Sequence, residues 1–427
     1  MRRKLSRQRL DQLENLLIVL LACSAIFLMG KTGMFQTLTG NTAGQTGTSV
    51  YAGDQGVTLS RGNPVGLMVQ TQTGRFGVQY DQEQVDSLYS GGLEQLLLRS
   101  LTAMEGTKSI TQEEWQQTIT QSDSWVCYDF LVNVSFRGQN DQAVSAGRLF
   151  LVTAQGGRVD SLSYYEEESG EYYTGRIKDG SISLPASLES LPVNDSHFAF
   201  ELPELANLCP GSSMVLTQAP ICPVYTSTSP LADLDETGRQ SLLEKLDFNA
   251  RAASVYESAD GTVIREGADT LRLQTDGTVL FHGAESGEAR YQALSQQAWD
   301  LQSKAEEILD QLMADLPGAG SLRCQCIETL EDGQVELTFC YLLNGAWVQL
   351  GEEGWAARFS FRDSRLSSFE LRLRQYEKTD QLCAVLPLRQ AAAAAGAMGQ
   401  SGKELQLCCR DDGSGQTSTA WIVREPG

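Results

Sequence analysis

An apolar run from Leu16 to Met29, free of charge and preceded by Arg2, Arg3, Lys4, Arg7 and Arg9, restricts this chain more than any other stretch. Cations crowd one flank, and none follows until Lys31. That asymmetry predicts a positive-inside orientation: N-terminus in the cytoplasm, one helix through the bilayer, the remainder outside. The run is shorter than the ~20 residues a spanning helix usually needs. Leu13 on the near side and Gly33, Met34 and Phe35 in the far interface extend the segment. The expected plan therefore begins with a cytoplasmic basic tail at 1–12 and a transmembrane anchor at 13–35.

Two rival processing routes leave different marks. A cleaved signal peptide needs small residues in an A-x-A arrangement just past the apolar run, and Gly30-Lys31-Thr32-Gly33-Met34-Phe35 fits that poorly. Leu20-Leu21-Ala22-Cys23 resembles a lipoprotein signal, yet Ala25 to Met29 continue apolar where such a protein turns polar. An uncleaved anchor is the expectation, with lipidation at Cys23 as its alternative.

Residues 36–64 are rich in Gly, Thr, Ser and Gln and read as a flexible tether. Beyond it the chain is long enough for two soluble domains. The first, at 65–202, opens with alternating residues Val65, Leu67 and Val69, then a second strand over 75–80. Asp81 caps a helix whose stripe is Val85, Leu88, Tyr89, Leu93, Leu96, Leu97 and Leu101. Gly91-Gly92 weakens its middle, and Thr111 with Glu114 opens a second helix as a capping box. Strands follow at 125–136, 148–153 and 158–165. The stretch from Tyr164 to Tyr173, with four tyrosines and four glutamates, reads as a hairpin edge with a wet aromatic rim.

Prolines at 203, 210, 220, 223 and 230 mark a connector at 203–233, because each removes a ladder donor. The second domain, at 234–427, starts with a helix near Leu242 to Leu246. Hairpins are predicted at Asp260-Gly261 and Asp276-Gly277. A long helix is expected over 291–315, with Tyr291, Leu294, Ala298, Leu301, Ala305, Ile308 and Leu312 on one face. A meander holds Val335, Leu337, Phe339 and Tyr341, then Trp355 to Phe361 against Phe369 to Leu373. A helix from Asp380 through the alanine run and strands at 405–409 and 419–423 end the chain. The fold class expected is α+β, two helix-on-antiparallel-sheet domains behind one spanning helix. The pair 148–150/158–164 sits in its unit as 358–360/365–376 sits in the other, which reads as a diverged repeat.

Charge sets what the outer part can meet. The net charge is −21; the five cations and two acids of the first thirty residues, removed from 33 and 54, leave 28 against 52, or −24, on residues 31–427. Such a surface repels nucleic acid phosphates and anionic headgroups. No nucleic acid partner is expected. Cys23 falls in the anchor and nine of the ten cysteines outside it, an odd number that cannot all pair within the chain. Cys324 and Cys326 should share one strand face, Cys408 and Cys409 opposite faces. Buried free thiols are the main expectation, and Cys209 with Cys222 is the best disulfide candidate. With no CxxC and only His197 and His282, no metal site is expected. Neither histidine stands near a Gly-framed Ser or Cys, and no nucleophile elbow, zinc-protease helix, Walker loop or dinucleotide fingerprint occurs. Neither catalytic residues nor a cofactor are expected. A cell-wall hydrolase working through two carboxylates is the remaining enzymatic alternative, and a surface-anchored ligand-binding or inhibitory module the non-enzymatic one.

Several short motifs together resemble one group of proteins. They are Glu14-Asn15-Leu16-Leu17-Ile18-Val19-Leu20-Leu21, Phe248-Asn249, Tyr256 with Asp260-Gly261-Thr262, and Leu271-Arg272-Leu273 leading to Asp276-Gly277-Thr278-Val279. With the basic N-terminus, single span and polar tether, they are similar to the YycH/YycI family, membrane-anchored extracytoplasmic regulators of the sensor histidine kinase WalK in Gram-positive bacteria. Phe359, Phe361 and Ala420-Trp421-Ile422-Val423 are similar to PepSY-type modules, so 234–427 is expected to be PepSY-like. The resemblance implies a non-enzymatic regulator of a two-component system of cell-wall homeostasis. Its partners would be the membrane, the kinase's transmembrane and extracellular region, and a sister regulator. The anchor face that would meet a partner helix comprises Leu16, Leu17, Val19, Leu20, Ala22, Ser24 and Ala25, where small Ala22, Ser24 and Ala25 permit close approach.

Overall fold

In the computed structural model, the described residues are 57–424 apart from 61, 139–143, 206, 207, 209, 315, 317, 319 and 401. They belong to one compact unit spanning Thr48–Gly427. The class is mixed α+β, rich in strands and sparing in helices.

The first sheet draws on β1 (Val57–Leu59), β2 (Gly66–Thr71), β3 (Gly74–Gln79), β4 (Met104–Ile110), β5 (Ser124–Gly138), β6 (Val144–Gln155), β7 (Arg158–Glu166) and β8 (Glu171–Ile177). Their order is β3-β2-β5-β6-β7-β8-β4, with β1 pairing β5. The first helical stretch is α1 (Gln82–Leu88), a π-type turn at Tyr89–Leu93 and α2 (Glu94–Ala103). Asp81 accepts from the Gln84 N–H at the start, as its position before the apolar stripe foretells. Gly92 stands at φ +129°, a conformation only glycine takes easily, and the helix kinks there. The stripe lays Val85, Leu93 and Leu97 against Val126, Tyr128, Phe150 and Val152. On the opposite face, α3 (Gln112–Gln121) brings Trp115 and Ile119 onto Trp125, Cys127, Leu149 and Leu151. Covered on both faces, β5 and β6 are apolar almost without alternation. Thr111 and Glu114 close the capping box of α3 as expected.

Two strands, β1 and β4, were not foreseen: β1 pairs with β5 inside the stretch expected to be tether, with Val57 and Leu59 buried, and β4 changes the Tyr164–Tyr173 hairpin. Because β4 lies outside β8 in the sheet, Tyr164, Tyr165 and Tyr172 are buried rather than set on a wet rim. Tyr164 stacks on Tyr173 with ring centroids 5.0 Å apart.

β9 (Ser196–Phe198), just before the proline-rich stretch, pairs with β10 (Met214–Leu216) within it, and β11 (Cys222–Thr228) follows. After α4 (Glu236–Lys245), the second sheet takes up β12 (Ser254–Ser258), β13 (Gly261–Glu266), β14 (Asp269–Gln274) and β15 (Thr278–His282). The helix α5 (Ala298–Met313) precedes β16 (Ser321–Thr329), β17 (Val335–Leu343), β18 (Ala346–Leu350), β19 (Ala357–Arg362) and β20 (Arg365–Arg372). The chain continues through β21 (Gln375–Cys383), α6 (Leu388–Ala397), β22 (Glu404–Asp411) and β23 (Ser418–Arg424). The sheet runs β12-β13-β14-β15-β20-β19-β17-β18-β22-β23, with β16 along the other side of β17. It is antiparallel save for β18 beside β22.

Both Asp-Gly turns form where predicted. Two helix predictions need correction. The long helix begins at Ala298, not 291: Tyr291 is buried against Phe281 and Phe369, and Leu294 is 96% exposed. A tertiary pocket for Tyr291 outweighs helical periodicity there. Residues 380–383 are strand, not helix, because β21 pairs with β11; the helix waits until Pro387 caps the alanine run. From α5, Leu301, Ala305, Ile308 and Leu312 join Leu337, Phe339, Phe359, Phe361 and Phe369 in the second core.

Cysteine placement follows these sheets. Cys127, Cys222, Cys340, Cys408 and Cys409 are buried free thiols, and Cys222 lies opposite Cys383 in the β11–β21 register. Cys209 of the expected Cys209–Cys222 pair lies outside the described residues. Between Cys324 and Cys326 the ladder slips by one residue, so the simple alternation predicted for them fails; Cys326 is exposed while Cys324 is partly covered.

Candidate functional site

The two sheets meet along a seam. Val65, Leu131 and Val132 from the first pack with Cys340, Leu342, Trp347 and Trp355 from the second. Polar links tie the same region. Asn344 sits in the two-residue turn between β17 and β18, with φ +51° followed by Gly345 at +80°, the turn type that Asn-Gly favours. Its side chain accepts from the Gln82 N–H at 2.9 Å and donates to the Tyr80 carbonyl.

Beside this seam lies a sealed set of charges. Arg148 on β6 is 2% exposed. Its Nη1 donates to Glu167 Oε1 at 2.9 Å and to Glu404 Oε2 at 3.0 Å; its Nη2 meets the other Glu404 oxygen, and its Nε lies 3.5 Å from Asp129 Oδ1. Glu404 belongs to β22, so this arginine joins sheets whose partners are 256 residues apart in the chain. Arg424 stands 3.7 Å from Glu167 on the outer side.

Three acids around one arginine cannot all be equally comfortable as anions. Burial pushes the carboxyls of Asp129 and Glu167 up, with Arg148 pulling the other way. Burial acts on Glu404 too, but Arg148 beside it and the hydrogen bonds it accepts outweigh that and hold it down. Arg148 is held well above its ordinary value: burial works against its charge, and Glu404, Asp129 and Glu167 more than offset it. Bidentate contact with Glu404 is the strong pair; such geometry is what makes a buried ion pair tolerable.

Next to this cluster a cleft of about 730 Å³ opens between the sheets. One wall is Asn133 and Ser135 of β5 with Val144 and Ala146 of β6; the other is the start of α5, including Trp299 and Gln302, and Cys324, Gln325, Cys326, Ile327 and Thr329 of β16. Glu167, Glu168 and Arg424 also line it. The cleft is acidic in balance. Burial, then Glu328 and Glu168, push the Cys326 thiol up, with Arg424 opposing. Burial and Glu306 push the Cys324 thiol up as well. A solute reaches Glu168, Trp299 and Cys326; it does not reach Arg148. The cluster fixes one edge of the cleft, and the cleft is the part of this junction that can bind.

The residues singled out from sequence fall elsewhere. The expected anchor at 13–35, with Leu16, Leu17, Val19, Leu20, Ala22, Ser24 and Ala25, lies outside the described residues, among which no helix is long and apolar enough to cross a membrane. His197 lies on β9, its Nε2 2.7 Å from Asp195 and its Nδ1 3.8 Å from Glu201. Arg148, Asp129, Glu167 and Glu404 are not legible as a site in the sequence because they come from four separate stretches: β6, β5, the turn after β7, and β22. One signal was legible: an aspartate inside the apolar run 125–132 of β5 and an arginine at the head of the apolar run 149–152 of β6 need partners. A second was Asn344-Gly345 between apolar runs, a hairpin dipeptide as clear as the two Asp-Gly turns.

No family model and no curated protein matches the chain. Among solved structures it is similar to the crystal structure of YycH from Bacillus subtilis, at 10% sequence identity over 89% of this chain and 95% of that chain, with a TM-score of 0.49.

Proposed function

We propose that this chain is a membrane-anchored extracytoplasmic regulatory protein that modulates a sensor histidine kinase of cell-wall homeostasis. The observation that carries the reading is the asymmetry of the N-terminus: five cations, then an uncharged apolar run, then a body bearing −24. The family-like motifs around Phe248, Asp260-Gly261-Thr262 and Asp276-Gly277-Thr278 support the regulatory side of it. The anchor packs Ala22, Ser24 and Ala25 against the kinase's spanning helices, and the outer body, with a sister regulator, biases the kinase between two states by binding one of them better.

The test exchanges Leu16–Met29 for an unrelated spanning helix of the same length in the full chain. Kinase output, read as phosphorylation of its response regulator, should lose its dependence on this protein while the protein remains in the membrane. Retained dependence would reduce the helix to a tether. A second reading, a surface-anchored ligand-binding module, is favoured by the cleft between the sheets; it keeps full binding after the same exchange.

A further inference from the structure

The strand that forms one wall of the cleft has a free side. β16 pairs with β17 from Ser321 to Thr329, and among the described residues no strand pairs with its other edge. A row of unpaired N–H and C=O groups invites another strand. Proteins protect such edges by shortness, proline, charge, a bulge or cover; β16 runs nine residues without proline, and its ladder slip at Cys324–Cys326 and the charge of Glu328 leave the edge open while discouraging an indiscriminate partner. The first sheet approaches without taking the place: β5 comes within 8 Å, Cα to Cα, and makes no ladder with β16. Beside Cys324, Gln325, Cys326, Ile327 and Thr329 lies the 730 Å³ of open space, well inside the range of pockets that hold a ligand.

Charge narrows the occupant. Glu168 is exposed on the cleft, Glu328 is exposed on β16 itself, and Glu306 and Glu328 bear on the two cleft thiols. Arg424 is the countercharge, and it is engaged with Glu167. Trp299 offers an aromatic face for a cation or an aliphatic stem. We propose that the cleft binds an extended peptide segment that adds as a further strand to the free edge of β16 and places a Lys or Arg side chain against Glu168. Main-chain hydrogen bonds supply affinity, and alternate side chains facing Glu168 and Trp299 supply selectivity. A segment of about six residues, roughly 20 Å long, covers the part of the edge from Cys324 to Thr329 that faces the cleft. The inference concerns the cleft alone and holds whichever reading of the anchor is right.

Cys326 serves as a built-in reporter, since it is exposed, lies on the edge strand and lines the cleft. Full-length protein in detergent is alkylated at Cys326, followed by mass spectrometry, in the presence of a nine-residue peptide of alternating Lys and Val. At concentrations on the order of 1 mM the peptide should slow alkylation of Cys326 and leave that of buried Cys127 unchanged. A peptide with Glu in place of Lys, and a Lys-Val peptide N-methylated along one edge, should protect little. Glu168→Lys should weaken protection by about 2–5-fold, the range for an exposed ion pair. Equal protection by the acidic or the N-methylated peptide overturns the proposal. So does protection by a chitin tetrasaccharide with none by the peptide, or no protection at all.

Discussion

Glu167 and Glu168 are neighbours in sequence and opposites in circumstance. Glu167 turns inward to Arg148 and is nearly sealed from solvent; Glu168 stands exposed on the cleft. Within one turn the chain uses the same side chain to lock two sheets together and to present charge to a solute. The difference teaches that the junction has a rigid half and a receptive half. Only the second can carry recognition, and it depends on the first to hold its walls apart.

The comparison breaks most easily at the arginine. Arg148→Met strands Asp129, Glu167 and Glu404 without a counterion, and should cost about 3–5 kcal/mol of stability in denaturant unfolding. A loss under 1 kcal/mol would mean that the seam is held by Val65, Leu131, Trp347 and Trp355 instead.

A smaller effect should follow pH, with a definite sign. Asp129 and Glu167 have folded values raised by burial above their ordinary 3.8 and 4.5. Their contribution to stability is therefore fully present below those ordinary values and is lost as pH rises through the raised ones. Glu404, held below 4.5, contributes oppositely: its share is present above 4.5 and is lost only as pH falls through its lowered value. In the window above the ordinary 4.5, where Glu404 is ionised folded or unfolded, the first sign governs. Glu167→Gln removes one of the two raised groups, so the unmodified chain should gain stability relative to this variant as pH falls across that window. Parallel curves would contradict the assignment. Smallest of all, Glu168→Gln should leave stability within ~0.5 kcal/mol, as exposed substitutions do. A larger change would make Glu168 part of the lock.

Local pattern foretold much of the fold and little of the site. The α1–α2 stripe, its kink at Gly92, the Thr111 capping box and the two Asp-Gly hairpins are short-range features, and each formed where its residues indicated. Tyr291 and the 380–383 segment misled because long-range partners, Phe281 with Phe369 and the strand β11, overrode helical propensity. β4 was missed because Met104–Ile110 is mostly exposed and carries no alternation. The cluster and the cleft were illegible for a related reason: Asp129, Glu167 and Glu404 converge only after both sheets have formed. Residue spacing says nothing about which strand ends become neighbours across a seam.

The orientation of the chain across the membrane is the claim on which the functional account rests, and Cys326 can report it. Intact cells expressing the full chain are treated with a membrane-impermeant maleimide and labelling at Cys326 is read by mass spectrometry. The account predicts labelling of Cys326 without permeabilisation. Labelling that appears only after the membrane is opened would place the acidic body in the cytoplasm and contradict it.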